Sequence, residues 1–502
     1  MFPVIPVLLG LLAFLFAWHF LNIQRARSKL PAGPAPLPVI GNMGILGFQI
    51  HHETLLKLAS RYGDIYTLWL GHTPIVVLNN FEAVKEALIT HSEDFAERPR
   101  NPCFENLVGS ACGIIFSNGH AWKQQRRFSL MTLRNLGLGK RSLEGCVQHQ
   151  ATCLVQALAQ EKGRPMDPYS SILSSVGNLI GNVLFGHWFS TADDRFHCLV
   201  KGSKAMEEFS STLCSQLYNA FPSVMKHLQP IIVSTMSALR HWKKLELIIR
   251  EEIQSHQRSW VPEEPRDFID LYLAQLEKNK DDPNSPFTEL NMVQVIMDLF
   301  IAGLDTSTIA LSWALLYMMT YPEIQEQVQE ELNTVLGPSH VISYEDRKIL
   351  PFTNAVIHET QRVSSMTATG VFHKCTKDTK LQGLPISKGT IILPNLYSIH
   401  YDPDHWETPH KFNPSHFLDK DGNFTNNEAF LPFSAGVRVC LGEKFARTTL
   451  FIFFTNLLRA FRFQMPEGVK EINTEPILGS ALQPHPFKAC AIARKTVLNP
   501  AA

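Results

Sequence analysis

The sequence has no excess charge of either sign, with 46 Lys plus Arg facing 46 Asp plus Glu over 502 residues. That balance removes the basic field expected of a nucleic-acid-binding protein. No internal repeat or low-complexity tract is present, which argues against a solenoid or fibrous architecture. The nine cysteines (103, 112, 146, 153, 198, 214, 375, 440 and 490) include no C-x-x-C pair and form no dense framework. Such usage fits a reducing compartment with mostly free thiols, one of which carries function. The chain also lacks a Gly-rich strand-to-helix turn of the dinucleotide-binding kind and any flavin-like segment, so electrons for redox chemistry must come from another protein.

At 45% hydrophobic and 18% charged, the chain can bury one large core or two modest ones. Phe2 to Ile23 holds no Lys, Arg, Asp or Glu, and Arg25, Arg27 and Lys29 follow at once. This run is long enough to cross a bilayer as a helix, and the positive-inside rule puts the body on the cytosolic side. The basic residues in front and small-residue cleavage site behind that a cleaved secretory peptide needs are not clear. Leu30 to Gly41 carries Pro31, Pro34, Pro36 and Pro38, a stiff extended linker, with Leu37, Val39 and Ile40 expected to pack on the body. Strand-like clusters at Ile65–Leu70, Ile75–Leu78, Lys380–Leu381 and Thr390–Leu393 sit among helical patterns that dominate from Ala121 to Gln361.

Phe433-Ser-Ala-Gly436-Val-Arg438-Val-Cys440-Leu-Gly442 surrounds one cysteine with what a buried thiolate under a haem iron needs. A buried sulfur stays deprotonated only if a metal and backbone N–H groups absorb its charge. Gly436 and Gly442 are expected to let the backbone approach porphyrin and sulfur without a Cβ. Arg438 is placed to pair with a haem propionate, and Phe433 supplies an apolar cover. The run Leu441 to Phe461 reads as a helix whose N-terminus lies just after the sulfur, where the dipole favours an anion. A lone cysteine is more often a structural one in an ordinary turn, but five fixed positions in ten residues weigh against that.

This loop resembles the haem-binding loop of the cytochrome P450 superfamily, and three further segments agree. Glu359-Thr-Gln-Arg362, in a helix from about Phe352, is by itself only a surface pair; with Phe412-Asn-Pro-Ser-His416-Phe417 it resembles the family's buried ion network. His416 stands where many relatives carry Arg, and the trio reads as structural. Ala302-Gly303-Leu304-Asp305-Thr306 lies in a helical pattern from about Leu290 to Met319. A Thr306 hydroxyl bonded back to the Ala302 carbonyl would bend the helix locally and leave a niche for dioxygen, with Asp305 behind as proton source. Trp122 and Arg126 share a helix face and can donate to a propionate. Arg98 and His373 match propionate-contacting positions in similar proteins.

The resemblance spans essentially the whole chain and is to vertebrate microsomal family 2, through Asn118–Phe128, Thr132–Leu143 and Gln216–Lys226; the last leans towards the J subfamily, whose members oxidise polyunsaturated fatty acids and some drugs. It implies a mainly α fold with small β-sheets. Residues 1–24 would be an N-terminal transmembrane anchor, 25–45 a basic and Pro-rich linker, and 46–502 one haem domain. It further implies haem b, electrons from NADPH through NADPH-cytochrome P450 reductase with cytochrome b5 as a second donor, and residence in the endoplasmic reticulum membrane. The activity implied is monooxygenation of fatty acids, steroids or xenobiotics. Phe104, Leu107, Phe116, Phe300, Ile301, Val371 and Leu482 are the expected walls of an apolar pocket, and Lys123, Arg127, Arg134, Lys140, Lys444 and Arg447 the expected reductase-facing cations. A haem-thiolate isomerase or dehydratase of lipid hydroperoxides, or a non-catalytic haem sensor, would use the same loop; Asp305 and Thr306 count against both.

Overall fold

The computed structural model describes residues 4–46, 50–107, 112–137, 141–190, 193–210, 212–229, 231–232, 236–337 and 339–494. The first three residues of the expected anchor, Lys140, and the chain beyond 494 lie outside the described residues. Helix α1 (Val4–Arg27) covers the rest of the uncharged run and its basic end. The Pro-rich segment after it docks on the sheet through its start: Thr67 Oγ1 donates to the Pro31 carbonyl (2.8 Å) and Thr67 N–H to the Ala32 carbonyl (3.1 Å). Leu37, Val39 and Ile40 do not pack as expected; all three are exposed. Backbone hydrogen bonds at Pro31 and Ala32 already fasten the segment, so these apolar side chains are free to face outward.

The main sheet has four strands, β1 (Ile65–Leu70), β2 (Thr73–Leu78), β3 (His373–Lys374) and β4 (Ile391–Pro394), in the order β1-β2-β4-β3. β1 and β2 are antiparallel with Ile65 opposite Leu78, β2 and β4 parallel with Ile75 opposite Ile391, and β3 antiparallel to β4 with His373 opposite Ile392. Side chains alternate between two faces, and both faces are buried. Ile65, Val76, Leu78 and Ile392 feed one apolar cluster; Tyr66, Leu68, Ile75, Val77 and Leu393 feed another. Lys380 and Leu381 are extended as expected but belong to a separate hairpin, Thr379–Leu381 with Leu384–Ile386.

The helical body is built on α2 (Gly119–Asn135), α3 (Pro168–Phe185), α4 (Asp194–Ser210), α5 (Glu289–Thr320), α6 (Pro351–Ser364) and α7 (Glu443–Ala460). α5 begins where Thr288 Oγ1 accepts the Asn291 N–H at 3.1 Å, which satisfies a donor the first turn leaves open. It ends before Pro322, which disfavours helical backbone at Tyr321. Long and apolar enough to cross a membrane, α5 instead lies in the protein core, its Ile296, Phe300, Leu304, Leu311 and Leu315 fully buried. α3 approaches it closely at Gly303, where a Cβ would stand 2.9 Å from Ile180 Cδ1.

α6 carries the ion network. Arg362 Nε donates to Glu359 Oε2 (2.8 Å) and Nη2 to Oε1 (2.7 Å), and neither side chain is accessible to solvent. The remaining Arg362 N–H groups reach the carbonyls of His400, Pro409 and Lys411 at 2.7 to 2.9 Å. Thr408 N–H donates to His416 Nε2, so Nδ1 is the protonated nitrogen and donates to Glu359 at 3.2 Å. The pair therefore ties α6 to three loop segments. Glu359→Ala leaves the Arg362 guanidinium buried without its counter-charge and should cost about 3–5 kcal/mol, read as a lowered urea midpoint.

Candidate active site

Cys440 ends a loop that closes on itself, its N–H donating to the Phe433 carbonyl at 3.0 Å. Ser434 (φ 60°) and Gly436 (φ 73°) take left-handed backbone within it. Gly436 takes the tight turn expected of it (φ 73°) and is also required by protein packing, since a Cβ would lie 1.6 Å from the Leu88 carbonyl oxygen. At Gly442 a Cβ would sit 3.9 Å from the Cys440 sulfur, an ordinary contact, and protein sterics alone do not demand glycine. α7 starts at Glu443, two residues later than the periodicity from Leu441 implies, because Gly442 serves as its cap. Burial pushes the Cys440 thiol up, while the N–H groups of Gly442 and Glu443 and the Arg126 guanidinium favour the anion. The cysteine nevertheless retains exposed surface. A sulfur desolvated by surrounding protein yet open on one side lines an internal slot.

Around that loop, three guanidinium groups gather. Arg438 Nε donates to the Ala96 carbonyl (2.7 Å), and Nη2 to the Ser117 carbonyl (2.8 Å) and Asn118 Oδ1 (3.0 Å), with its plane stacked 3.6 Å from the Trp122 ring. Arg98 Nη1 donates to the carbonyls of Val371 (3.0 Å) and Phe372 (2.8 Å), and Arg126 Nη2 to that of Val439 (2.6 Å). Burial first, and mutual repulsion second, lower Arg98 to about 10 and Arg438 to about 9. Among the described residues none of the three pairs with a carboxylate; Glu97, whose charge Arg438 feels, is bound to Lys374 at 3.1 Å. Arg98 Nε and Trp122 Nε1 are buried without a hydrogen-bond acceptor. His373 donates from Nδ1 to the Phe95 carbonyl (2.8 Å), and burial holds it near 3, neutral, with Nε2 left over. Buried positive charge and orphaned donors of this kind call for a ligand bearing more than one negative group.

On α5, Ala302 is exposed although the helix around it is buried, and Thr306 Oγ1 donates to the Ala302 carbonyl at 2.7 Å. α5 runs unbroken from Glu289 to Thr320 with this bond in place. Asp305 is directed elsewhere. It accepts from Ser203 Oγ of α4 at 2.8 Å, and burial, with Glu207 adding repulsion, pushes its carboxyl up to about 7. Successive helix residues point about 100° apart, which separates this acid from the Thr306 hydroxyl.

The expected pocket residues divide. Val371 is exposed and Ile301 half-buried. Phe104 and Phe116 are half-buried with ring centroids 5.3 Å apart. Phe300 is fully buried and packs on Phe185 of α3 at 6.3 Å, because two residues along a helix from Ala302 is about 200° around it. Leu482 is also buried, its N–H on the Met366 carbonyl and its carbonyl taking Trp313 Nε1. The Leu107 side chain lies outside the described residues. Sequence reading missed Asp298, one turn before Ala302. Its carboxylate accepts the N–H groups of Ile114 (2.7 Å) and Ile115 (3.1 Å), pinning to α5 the loop that gives Arg438 its Ser117 carbonyl. The available signal was a lone acid in a helix stretch otherwise apolar for six residues on its N-terminal side apart from Gln294.

A carboxyl raised from 3.8 to about 7 by folding binds its proton more tightly in the native state. Stability is therefore lost as pH rises from roughly 4 to 7 and is flat above. Asp305→Asn, which keeps an acceptor for Ser203, should gain stability over the parent progressively across that window. The gain reaches up to a few kcal/mol at about 1.4 kcal/mol per pH unit, read as the difference in urea midpoint at about pH 5.5 and about pH 8.

A family model described as cytochrome P450 matches residues 31–491. Cytochrome P450 2J2 of Homo sapiens is 42% identical over 486 residues, covering 97% of this chain and 95% of that protein. Cytochrome P450 2J5 of Mus musculus is 40% identical over 490 residues (97% and 96%), and cytochrome P450 2D3 of Rattus norvegicus 39% over 475 (94% and 94%). With its buried cysteine loop and cationic cluster, the chain belongs to the cytochrome P450 family, as a haem b monooxygenase that takes its electrons from a redox partner.

Proposed function

We propose that this is a microsomal monooxygenase that inserts one oxygen atom from O2 into lipophilic substrates, by hydroxylation or epoxidation, with electrons from NADPH through NADPH-cytochrome P450 reductase and, as second donor, cytochrome b5. Fatty acids such as arachidonic acid, steroids and xenobiotics are the substrate classes, the first by likeness to the J subfamily relatives. The carrying observation is the Cys440 sulfur, desolvated and facing N–H groups yet open on one side. When bound, haem supplies the activation of dioxygen. Cys440 would hold it, and Arg98, Trp122, Arg126, His373 and Arg438 would receive its propionates; the uncompensated cations and the orphaned Trp122 Nε1 and Arg98 Nε fit that role.

Ala302 and Thr306 then line the same slot from α5. Thr306 Oγ1, its proton engaged by the Ala302 carbonyl, keeps lone pairs for a hydrogen bond from water or substrate-side groups. Asp305 holds a proton at its carboxyl near neutral pH against Ser203 Oγ, and passing it to Thr306 would need a bridging water across the angular gap. Val371, Ile301, Phe104 and Phe116 give the slot apolar walls.

α1 is the single-pass anchor in the endoplasmic reticulum membrane, with the body cytosolic. Its Leu11, Phe14, Trp18 and Leu21 are exposed and its basic end follows directly. Exposed Val224, Leu228 and Ile231, with Leu37, Val39 and Ile40, form the part of the body that meets the lipid.

Thr306→Ala should retain haem and substrate binding but release hydrogen peroxide in place of product. Product in reductase-reconstituted turnover should fall by roughly a hundredfold, the low end of what a positioned proton-transfer group contributes. Unchanged coupling removes Thr306 from this role. For the docking face, Lys123, Arg127, Arg134 and Lys444 are exposed. Charge reversal at Lys123, Arg127 and Lys444 should raise the reductase KM at low salt and matter less at high salt; equal turnover at low salt contradicts a reductase on this face.

A further inference from the structure

Arg447, expected from the sequence to meet a redox partner, is already engaged inside the protein. Its Nε donates to Glu443 Oε1 (2.9 Å), one turn back on α7. Its Nη1 donates to His358 Nε2 (2.9 Å) on α6. Its guanidinium carbon stands 4.9 Å from the Phe433 ring centroid and 5.9 Å from that of Phe430. Under a quarter of the side chain is exposed.

His358 is built to receive that bond. Its Nδ1 donates to the Asn354 carbonyl (2.7 Å), which leaves Nε2 as an acceptor. The rings of Phe417, Phe424 and Phe430 surround the imidazole at 4.6 to 5.5 Å. Burial, with the Arg447 charge beside it, holds it near 3, so it stays neutral and accepting at every physiological pH. Phe433, on the other side of the guanidinium, is the residue whose carbonyl takes the Cys440 N–H at 3.0 Å. A continuous path thus runs from α6, the helix of the Glu359–Arg362 pair, through His358, Arg447 and Phe433 to Cys440. The attraction of a cation to an aromatic face falls off with displacement, so it fixes a ring's place as well as stabilising it.

We propose that Arg447 is a positioning residue for the Cys440 loop: it clamps Phe433, whose carbonyl takes the Cys440 N–H, from α6 and α7, and so controls water access to the sulfur. It is not a cation for the redox partner. This deepens the haem-thiolate reading of Cys440 and rests on it. Reduction adds one negative charge to a thiolate-ligated site, and water admitted beside the sulfur stabilises that charge; loosening Phe433 therefore raises the midpoint potential. It also exposes the sulfur to protonation.

The test compares parent, Arg447→Gln and Arg447→Lys holoproteins. In Arg447→Gln the midpoint potential rises, and the thiolate-type Soret band of the reduced carbon monoxide complex converts to the thiol type several-fold faster on mild warming. The reductase KM stays within error of the parent. Arg447→Lys, which keeps a cation near Phe433 but cannot serve Glu443 and His358 together, falls between. Parent-like potential and Soret stability with a raised reductase KM overturn the proposal in favour of docking. A parent without a thiolate-type band fails the Cys440 reading before any variant is compared. Should Arg447→Gln not fold, labelling of the parent by phenylglyoxal decides. Arg447 should react roughly tenfold or more slowly than exposed Arg127 and Arg134, because reaction needs local opening, with or without reductase. Labelling as fast as Arg127, and shielded by reductase, contradicts it.

Discussion

A thiol held in desolvating surroundings resists ionisation, and the proposed function needs Cys440 kept ionised. Burial around Cys440 pushes the wrong way, and the opposing forces are weak one by one: two N–H groups at the start of α7 and the field of Arg126. In the proposed reading haem iron would supply the rest when bound. Much of the architecture serves to hold that one loop in place. Gly436 abuts the Leu88 carbonyl, Cys440 N–H closes on Phe433, and Arg447 braces Phe433 from α7 while bonding α6.

The same logic orders the cations. Three guanidinium groups with no carboxylate partner among the described residues are costly to gather, as the lowered values of Arg98 and Arg438 register. Backbone carbonyls hold them apart: Ala96 and Ser117 for Arg438, Val371 and Phe372 for Arg98, Val439 for Arg126. The Ser117 carbonyl comes from the 113–117 loop, which buried Asp298 fastens to α5; Glu359 instead takes the Asn413 N–H, in the segment whose Lys411 carbonyl Arg362 holds. Asp298 thus sits one step behind the cationic cluster and helps set its shape.

Much of this was legible in the residues because short spacings fix short geometries. Glu359 and Arg362, Ala302 and Thr306, Trp122 and Arg126 are each within one helical turn, and a helix leaves them no choice of relative position. The β-branched and aromatic runs likewise announced β1, β2 and β4. Reading failed where the outcome depends on what lies across a contact. The need for Gly436 comes from Leu88, 348 positions earlier. Phe300 and Asp305 share a helix with the site but face α3 and α4, and periodicity cannot say which neighbour each face meets. Arg447 looked like a surface cation because its partners, His358 and Phe433, lie on two other segments.

The central claim is that the Cys440 sulfur, as thiolate, is the axial ligand of haem iron. The most direct measurement is the Soret absorption of the dithionite-reduced, carbon-monoxide-treated holoprotein, beside Cys440→His. The account predicts the long-wavelength band of thiolate ligation in the parent and its loss, with haem retained, in the variant. A folded, haem-loaded parent without that band, or a variant that keeps it, contradicts the account.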